Sequence, residues 1–277
     1  MINESMLRAA QGLRALQTKV DTIANNIANL NTAGYKSQDT VFGEILYQQI
    51  NNQPGGETIG ANGRITEEMV RMGNGVIVRG TPVQFTQGSR QDTDIPTDLM
   101  IEGEGFFRVA QDLNQSGDID ENDYRYTRNG AFKLSPIDDQ LYLVTSNGEF
   151  VLNEDGDPIS FAMDSTFKVL SNGTLVEIDA EGNEYEIGRL GLYRFDHPQL
   201  LIRDGNGNWL ADAVANPANP IPAEQTVIVQ GALESSNVDL SKEMTDLLAA
   251  QRTMQMLSRS LQISDQMLGL ANELIRR

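Results

Sequence analysis

The stretch Met6-Leu7-Arg8-Ala9-Ala10-Gln11-Gly12-Leu13-Arg14-Ala15-Leu16-Gln17-Thr18-Lys19-Val20-Asp21-Thr22-Ile23-Ala24-Asn25-Asn26-Ile27-Ala28-Asn29-Leu30 places an apolar residue at every third or fourth position. Met6, Ala9, Leu13, Leu16, Val20, Ile23, Ile27 and Leu30 form one line on a helix, the pattern of a surface that packs on a second helix. The same register returns near the other end, in Leu240, Leu247, Ala250, Met254, Leu257, Leu261, Leu268, Ala271 and Ile275, with Glu243 and Ser264 as polar members. Two long helices some two hundred residues apart suggest a closed arm that builds an assembly. An active-site scaffold does not require them.

The spacing predicts a helix from about Asn3 to Asn29 or Leu30, roughly 40 Å long at 1.5 Å per residue. It should stop in Asn29-Leu30-Asn31-Thr32-Ala33-Gly34, where Asn and Gly tolerate the left-handed conformation that ends helices. The second helix should start near Ser235-Ser236-Asn237-Val238-Asp239, capped by Ser236 with Asp239 or by Asp239 alone, and run to about Leu274. Met244, Leu248, Met256, Ile263, Met267, Leu270 and Leu274 widen its apolar face beyond a narrow line. A helix that is apolar on more than one side must be covered on more than one side, and one partner helix cannot do that. In a free monomer such helices are expected to be partly disordered until assembly.

Between the helices the chain reads as β-structure. Thr40 to Ile50 is a short helical or extended stretch, and the Gly-rich run from Asn51 to Gly63 is an irregular connector. Apolar runs follow at Gly75–Arg79, Thr81–Thr86, Leu99–Ile101, Gly105–Val109, Tyr124–Thr127, Ala131–Leu134, Leu141–Val144, Phe167–Leu170, Thr174–Ile178 and Leu190–Phe195. Asn129-Gly130, Asn147-Gly148, Asn172-Gly173 and Asn206-Gly207 are turn signals among them. The expected fold class is α+β: long terminal helices paired as a coiled-coil-like core, with a central antiparallel β-rich domain. The expected segments are a core helix at 1–35, a connector at 36–75, a β-rich domain at 76–233 and a second core helix at 234–277.

Composition narrows the function. The net charge is −18, and it is unevenly placed: residues 1–36 carry +2, residues 234–277 carry −1, and the middle carries −19. So acidic a surface repels nucleic acid and anionic membrane, which are not expected partners. No apolar run approaches the roughly 20 residues of a membrane helix, and no secretory signal is expected. The chain has no cysteine and one histidine, His197, which reads as a turn residue before Pro198. A histidine-based nucleophilic relay has nothing to activate. The pairs Asp138-Asp139 and Asp155 with Asp157 are what an acid-rich chain contains by chance, so no enzyme activity is expected.

One acidic segment has ligand spacing. Asp112, Asn114, Ser116, Asp120 and Asp123 fall at calcium-loop positions 1, 3, 5, 9 and 12, with Gly117 at the turn and Asp118 offering its carbonyl. Asp123 is shorter than the usual Glu, so affinity would be weak, on the order of 10⁻⁴–10⁻³ M. The competing reading is an acidic hairpin tip.

Asn25-Asn26-Ile27-Ala28-Asn29-Leu30-Asn31-Thr32-Ala33-Gly34-Tyr35-Lys36 resembles the N-terminal signature of the bacterial flagellar axial proteins, the rod and hook group. The resemblance continues in Asp98-Leu99-Met100-Ile101-Glu102-Gly103-Glu104-Gly105-Phe106-Phe107 and Tyr126-Thr127-Arg128-Asn129-Gly130-Ala131-Phe132. It ends in Gln230-Gly231-Ala232-Leu233-Glu234-Ser235-Ser236-Asn237-Val238-Asp239 and Glu243-Met244-Thr245-Asp246-Leu247-Leu248-Ala249-Ala250-Gln251-Arg252. Length points to a rod rather than a hook protein, and the stretch from Leu46 to Val76 resembles the distal-rod type, with a proximal-rod or short hook-type protein as the alternative.

The resemblance implies a subunit of a helical tube, exported through the flagellar type III apparatus, that meets copies of itself and neighbouring rod and hook proteins. Assembly residues are then expected at Leu13, Leu16, Val20, Ile23, Asn25, Asn26, Ile27, Asn29, Leu30, Asn31, Gly34, Tyr35, Leu247, Met254, Leu257, Leu261 and Leu268. The four asparagines either bridge subunits and buried backbone groups or serve local turn and cap chemistry. A distant alternative from another class is a calcium-dependent extracellular binding module. Truncating 1–35 and 240–277 separates the two, because only an assembling subunit loses its function.

Overall fold

The computed structural model describes residues 2–45, 48–50, 70–72, 75–111, 124–137, 139–179, 181–205, 207–211, 219–220 and 227–276. The fold is α+β. Helix α1 spans Ile2–Ala28 and helix α2 spans Leu240–Arg276, 27 and 37 residues long. Of the two capping readings, the start of α2 at Leu240 agrees with the one that puts Asp239 alone at the cap position. Ser235 to Asp239 stay non-helical, with the Ser236 hydroxyl accepting from Val238 N at 3.4 Å, which leaves Asp239 just before the first helical residue.

The chain divides into two compact units. The first contains residues 1–25, 38–82 and 241–277, the second residues 26–37 and 83–240. These limits differ from the segments expected at 1–35, 36–75, 76–233 and 234–277. The loop after α1 belongs to the β-rich unit, and the first strands belong with the helices. Within the first unit, strand Val41–Glu44 pairs antiparallel with Val76–Gly80, Phe42 opposite Val78 and Glu44 opposite Val76. Thr40 therefore leads into a strand rather than a helical turn.

The second unit is built around strand Phe106–Ala110, buried at every position. One edge pairs with Tyr124–Thr127, and the other is shared by Phe150–Val151 and Leu192–Arg194. Alternation then sorts its side chains. Phe107 and Val109 enter an aliphatic cluster with Leu99, Leu143, Leu175 and Leu190. Phe106, on the opposite face, enters an aromatic cluster with Tyr126, Tyr193, Phe195 and Trp209. Arg108 shares that face, its guanidinium 4.6 Å from the ring centres of both Tyr124 and Tyr193. A strand covered on both faces shows no polar alternation, which is why it reads as one apolar run.

Some turn and strand expectations come out differently. Asn147-Gly148 and Asn172-Gly173 do join paired strands, each Gly at positive φ. Asn129-Gly130 does not: strand Lys133–Ile137 pairs with Gln140–Val144 instead, and Gly130 is a point of close approach whose added Cβ would sit 1.6 Å from Leu99 O. That strand also starts later than Ala131 and carries Pro136, which an edge position tolerates. Thr81–Thr86 forms no strand beyond an isolated bridge at Val83, and the carbonyls of Gln84 and Thr86 accept side-chain bonds from Asn237 and Lys36. The connector from Asn51 to Gly63, and Asn206 of the last turn signal, lie outside the described residues.

Candidate assembly site

The two helices carry the expected apolar lines, and the first unit covers them only partly. On α2, Leu247, Met254, Leu257, Leu261 and Leu268 are half-buried. Among the described side chains of that helix only Glu243 and Ala250 are buried. On α1, Leu13, Leu16, Val20, Ile27 and Leu30 of the expected line are half-buried too, and Ile23 is buried. Gly12, Ala15, Thr22 and Asn26 are also buried, along an edge the apolar pattern does not mark. The strand pair explains part of that shift: Thr40 Oγ1 donates to Thr22 Oγ1 at 3.2 Å, and Phe42 and Val76 share a cleft with Gly12, Ala15, Leu16 and Leu257. The helices meet at Gly12, where an added Cβ would lie 3.2 Å from Leu257 Cδ1.

A second line on α2 faces outward. Leu248, Met256, Ile263, Met267 and Leu270 are exposed, Met256 by 62 % and Ile263 by 58 %. At 3.6 residues per turn they lie roughly opposite the half-buried line. The charges on that outward side are Arg252 and Arg259, both exposed. Fully burying one such side chain contributes roughly 1.5–3 kcal/mol, so five of them left in water are a large unspent driving force for association.

The signature loop after α1 is, by contrast, fully engaged inside the second unit. Gly34 sits at φ 69, and an added Cβ would lie 2.5 Å from the Arg128 carbonyl carbon, so only Gly fits. Gly34 N donates to Glu234 O at 2.8 Å, and Ser37 N donates to Asn237 Oδ1 at 2.7 Å. Asn237 Nδ2 then reaches Gln84 O and Thr86 O. Tyr35 is buried, its hydroxyl donating to Asn26 Oδ1 at 3.2 Å and its ring 4.7 Å beneath the Arg203 guanidinium. Asn29 accepts from Thr32 Oγ1 at 3.2 Å, which is local turn chemistry, while Asn25 and Asn31 are exposed.

At the centre lies a charge cluster that the apolar pattern gives no reason to suspect. Lys36 and Glu234 are 1 % and 2 % exposed and paired at 2.6 Å. Arg128 donates to the other carboxylate oxygen at 3.1 Å and to Gly103 O at 2.7 Å. Lys36 also donates to Thr86 O at 2.8 Å, and Gly88 N donates to Glu234 Oε1 at 2.8 Å. Burial pushes the pKa of Lys36 and of Arg128 down, against the pull of Glu234. The signal available in the sequence was position: Lys36 ends one signature and Glu234 sits in the other, flanked by apolar Leu233 and Ala232.

His197 is exposed and precedes the short 3-10 turn Pro198–Leu200. Trp209 packs in the aromatic cluster, 5.3 Å from the Phe85 ring centre. Asp112, Asn114, Ser116, Asp118, Asp120 and Asp123 lie outside the described residues, as does Asp138. Among the described residues no three metal-ligating side chains gather, and no helix is long and apolar enough to cross a membrane.

Known proteins resemble this chain in sequence along nearly its whole length. Residues 6–36 match the family model "Flagella basal body rod protein", residues 100–191 the "Flagellar hook protein FlgE/F/G D1 domain", and residues 229–274 the "Flagellar basal body rod FlgEFG protein C-terminal". The flagellar hook-basal body complex protein FlhP of Bacillus subtilis is 37 % identical, over 97 % of this chain and 98 % of that protein. The flagellar basal-body rod protein FlgG of Borreliella burgdorferi is 34 % identical, over 97 % of each chain. FlgG of Bacillus subtilis is 33 % identical over 95 % of this chain and 96 % of its own. With both helical signatures and the β-rich region matched in order, the chain belongs to the flagellar basal-body rod family.

Proposed function

We propose that this chain is a structural, non-enzymatic subunit of the basal-body rod, of the distal-rod type, that polymerises through its terminal helices into a helical tube transmitting torque from motor to hook. Segments 1–35 and 234–277 act as the core, packing on each other in coiled-coil fashion and on the same segments of neighbouring copies. Its partners are copies of itself and adjoining rod and hook proteins. It reaches its extracytoplasmic place through the type III export apparatus.

The observation that supports this reading is the pair of apolar lines on α2. One is half-covered within the unit and the other, from Leu248 to Leu270, is exposed. A second copy is the simplest cover for a surface that one chain cannot bury. Ile263→Glu together with Met256→Glu tests it. The monomer should keep its far-ultraviolet circular dichroism while cells carrying it form no complete rods and do not swim. Normal rods and swimming would sink the proposal. Calcium on the 112–123 loop is a separate proposal with a structural role, checked by calorimetry and a melting curve with and without the ion.

A further inference from the structure

We infer that Glu234, with Lys36, Arg128 and Asn237, is a positioning clamp that fastens the roots of both terminal helices to one point of the β-rich unit. The inference rests on reading α1 and α2 as the assembly helices. Residues 29–37 run directly out of α1, and residues 234–239 run directly into α2. The two segments are bonded side by side, Gly34 N to Glu234 O at 2.8 Å and Ser37 N to Asn237 Oδ1 at 2.7 Å. Here both roots are tied through buried, charge-assisted bonds, the stronger kind.

Charge counting makes the clamp specific. One buried carboxylate serves two buried cations, 2.6 Å from Lys36 and 3.1 Å from Arg128. Glu234 also accepts from Gly88 N, whose own added Cβ would lie 1.8 Å from Ser235 O, so that wall cannot close further. Remove the carboxylate, and two buried cations keep only the Thr86 and Gly103 carbonyls as bonded acceptors; remove the Lys36 charge, and the Arg128–Glu234 pair remains. Lys36 cannot settle without Glu234, because an unpaired buried charge is strongly unfavourable. Residues 36 and 234 are 198 positions apart, so the loop after α1 docks only when the C-terminal segment is in place.

Amide hydrogen exchange on the full-length monomer tests this without requiring a rod. Glu234→Gln should speed exchange at Gly34, Ser37 and Gly88 at least tenfold, with less than threefold change in strand Phe106–Ala110. Lys36→Met should change all of these less than threefold. Leu143→Ala, a core control, should speed exchange across the strands with no selective effect at Gly34 or Ser37. If Glu234→Gln does not fold, Asn237→Ala replaces it, with a tenfold rise at Ser37 expected. Equal effects of Glu234→Gln and Lys36→Met, or a rise spread evenly over the unit, would overturn the clamp. So would unchanged exchange at Ser37 in Asn237→Ala. Any of these results leaves the rod reading standing, because that reading fails only if the Ile263→Glu, Met256→Glu chain assembles.

Discussion

The helical unit and the β-rich unit solve burial in opposite ways. In the β-rich unit strand Phe106–Ala110 is covered on both faces, and even its buried charges at Lys36, Arg128 and Glu234 are paired. In the helical unit, α2 buries only Glu243 and Ala250 among its described side chains and leaves a whole apolar line in solvent. One unit closes its central strand within a single copy; the other leaves an apolar helix line open. A chain divided this way can fold its β-rich part before meeting a neighbour, yet cannot satisfy its helices until it does.

Exchange rates should expose the contrast most widely. In a dilute monomer, amides of α1 over residues 5–30 and of α2 over residues 247–270 should be protected at least ~10³-fold less than those of Phe106–Ala110, since local opening spans from near zero to the global stability. Equal protection would mean that the helices need no partner, and the contrast between the units would collapse. Next in size is a pair of core truncations. Phe107→Ala should destabilise the monomer by about 3–5 kcal/mol, as a fully buried aromatic does. Leu261→Ala, half-buried, should lower monomer stability by less than about 1.5 kcal/mol while still weakening assembly. Urea melts of the monomer and counts of complete rods separate these two quantities.

How far the sequence could be read follows the same division. The helices announce themselves because their apolar spacing is a local property, visible without any partner in Leu13, Leu16 and Val20 or in Met254, Leu257, Leu261 and Leu268. Strands such as Thr174–Ile178 are equally local. Pairing is not. Nothing near Asn129-Gly130 says that Lys133–Ile137 will turn away from Tyr124–Thr127 to join Gln140–Val144. The clamp was hidden for a related reason: the need for Lys36 to be buried comes from Glu234, far along the chain, and a lone lysine beside a tyrosine reads as surface. The buried edge of α1 at Gly12, Ala15 and Thr22 was missed because small and hydroxyl residues carry no apolar signal. Thr22 is internally satisfied there, donating to Thr18 O at 2.9 Å.

Gly34→Ala sharpens the comparison from the side of the β-rich unit. The backbone at φ 69 disfavours Ala, and the new Cβ meets the Arg128 backbone, which cannot yield as a flexible side chain would. Strain and overpacking together should cost roughly 2–4 kcal/mol. A melt within about 0.5 kcal/mol of wild type, the scale of ordinary surface changes, would show that the loop is looser than its contacts indicate.

The smallest expected effect is on alkaline stability. Burial pushes Tyr126 up to about 12 from its usual 10.0, so the folded chain holds a proton that the unfolded chain releases near 10. The folded state then binds more protons across that window, and stability falls as pH rises from about 10 to about 12. Lys36 acts in the other direction: its folded pKa lies below 10.5, so its contribution rises with pH and is complete above 10.5. Comparing wild type with Tyr126→Phe between pH 10.5 and 12 therefore isolates this tyrosine, because Lys36 and Arg128, both lowered by burial, titrate alike in the two chains. Tyr126→Phe should remove on the order of 2 kcal/mol of the decline, since a tenfold difference in proton affinity is worth about 1.4 kcal/mol. Tyr193, also raised by burial, adds to the decline that is left. If the variant loses stability as steeply as wild type over that range, the aromatic cluster around Tyr126 is wetter than its packing against Phe195 implies, and the β-rich unit is less complete in one copy than its contrast with the helices requires.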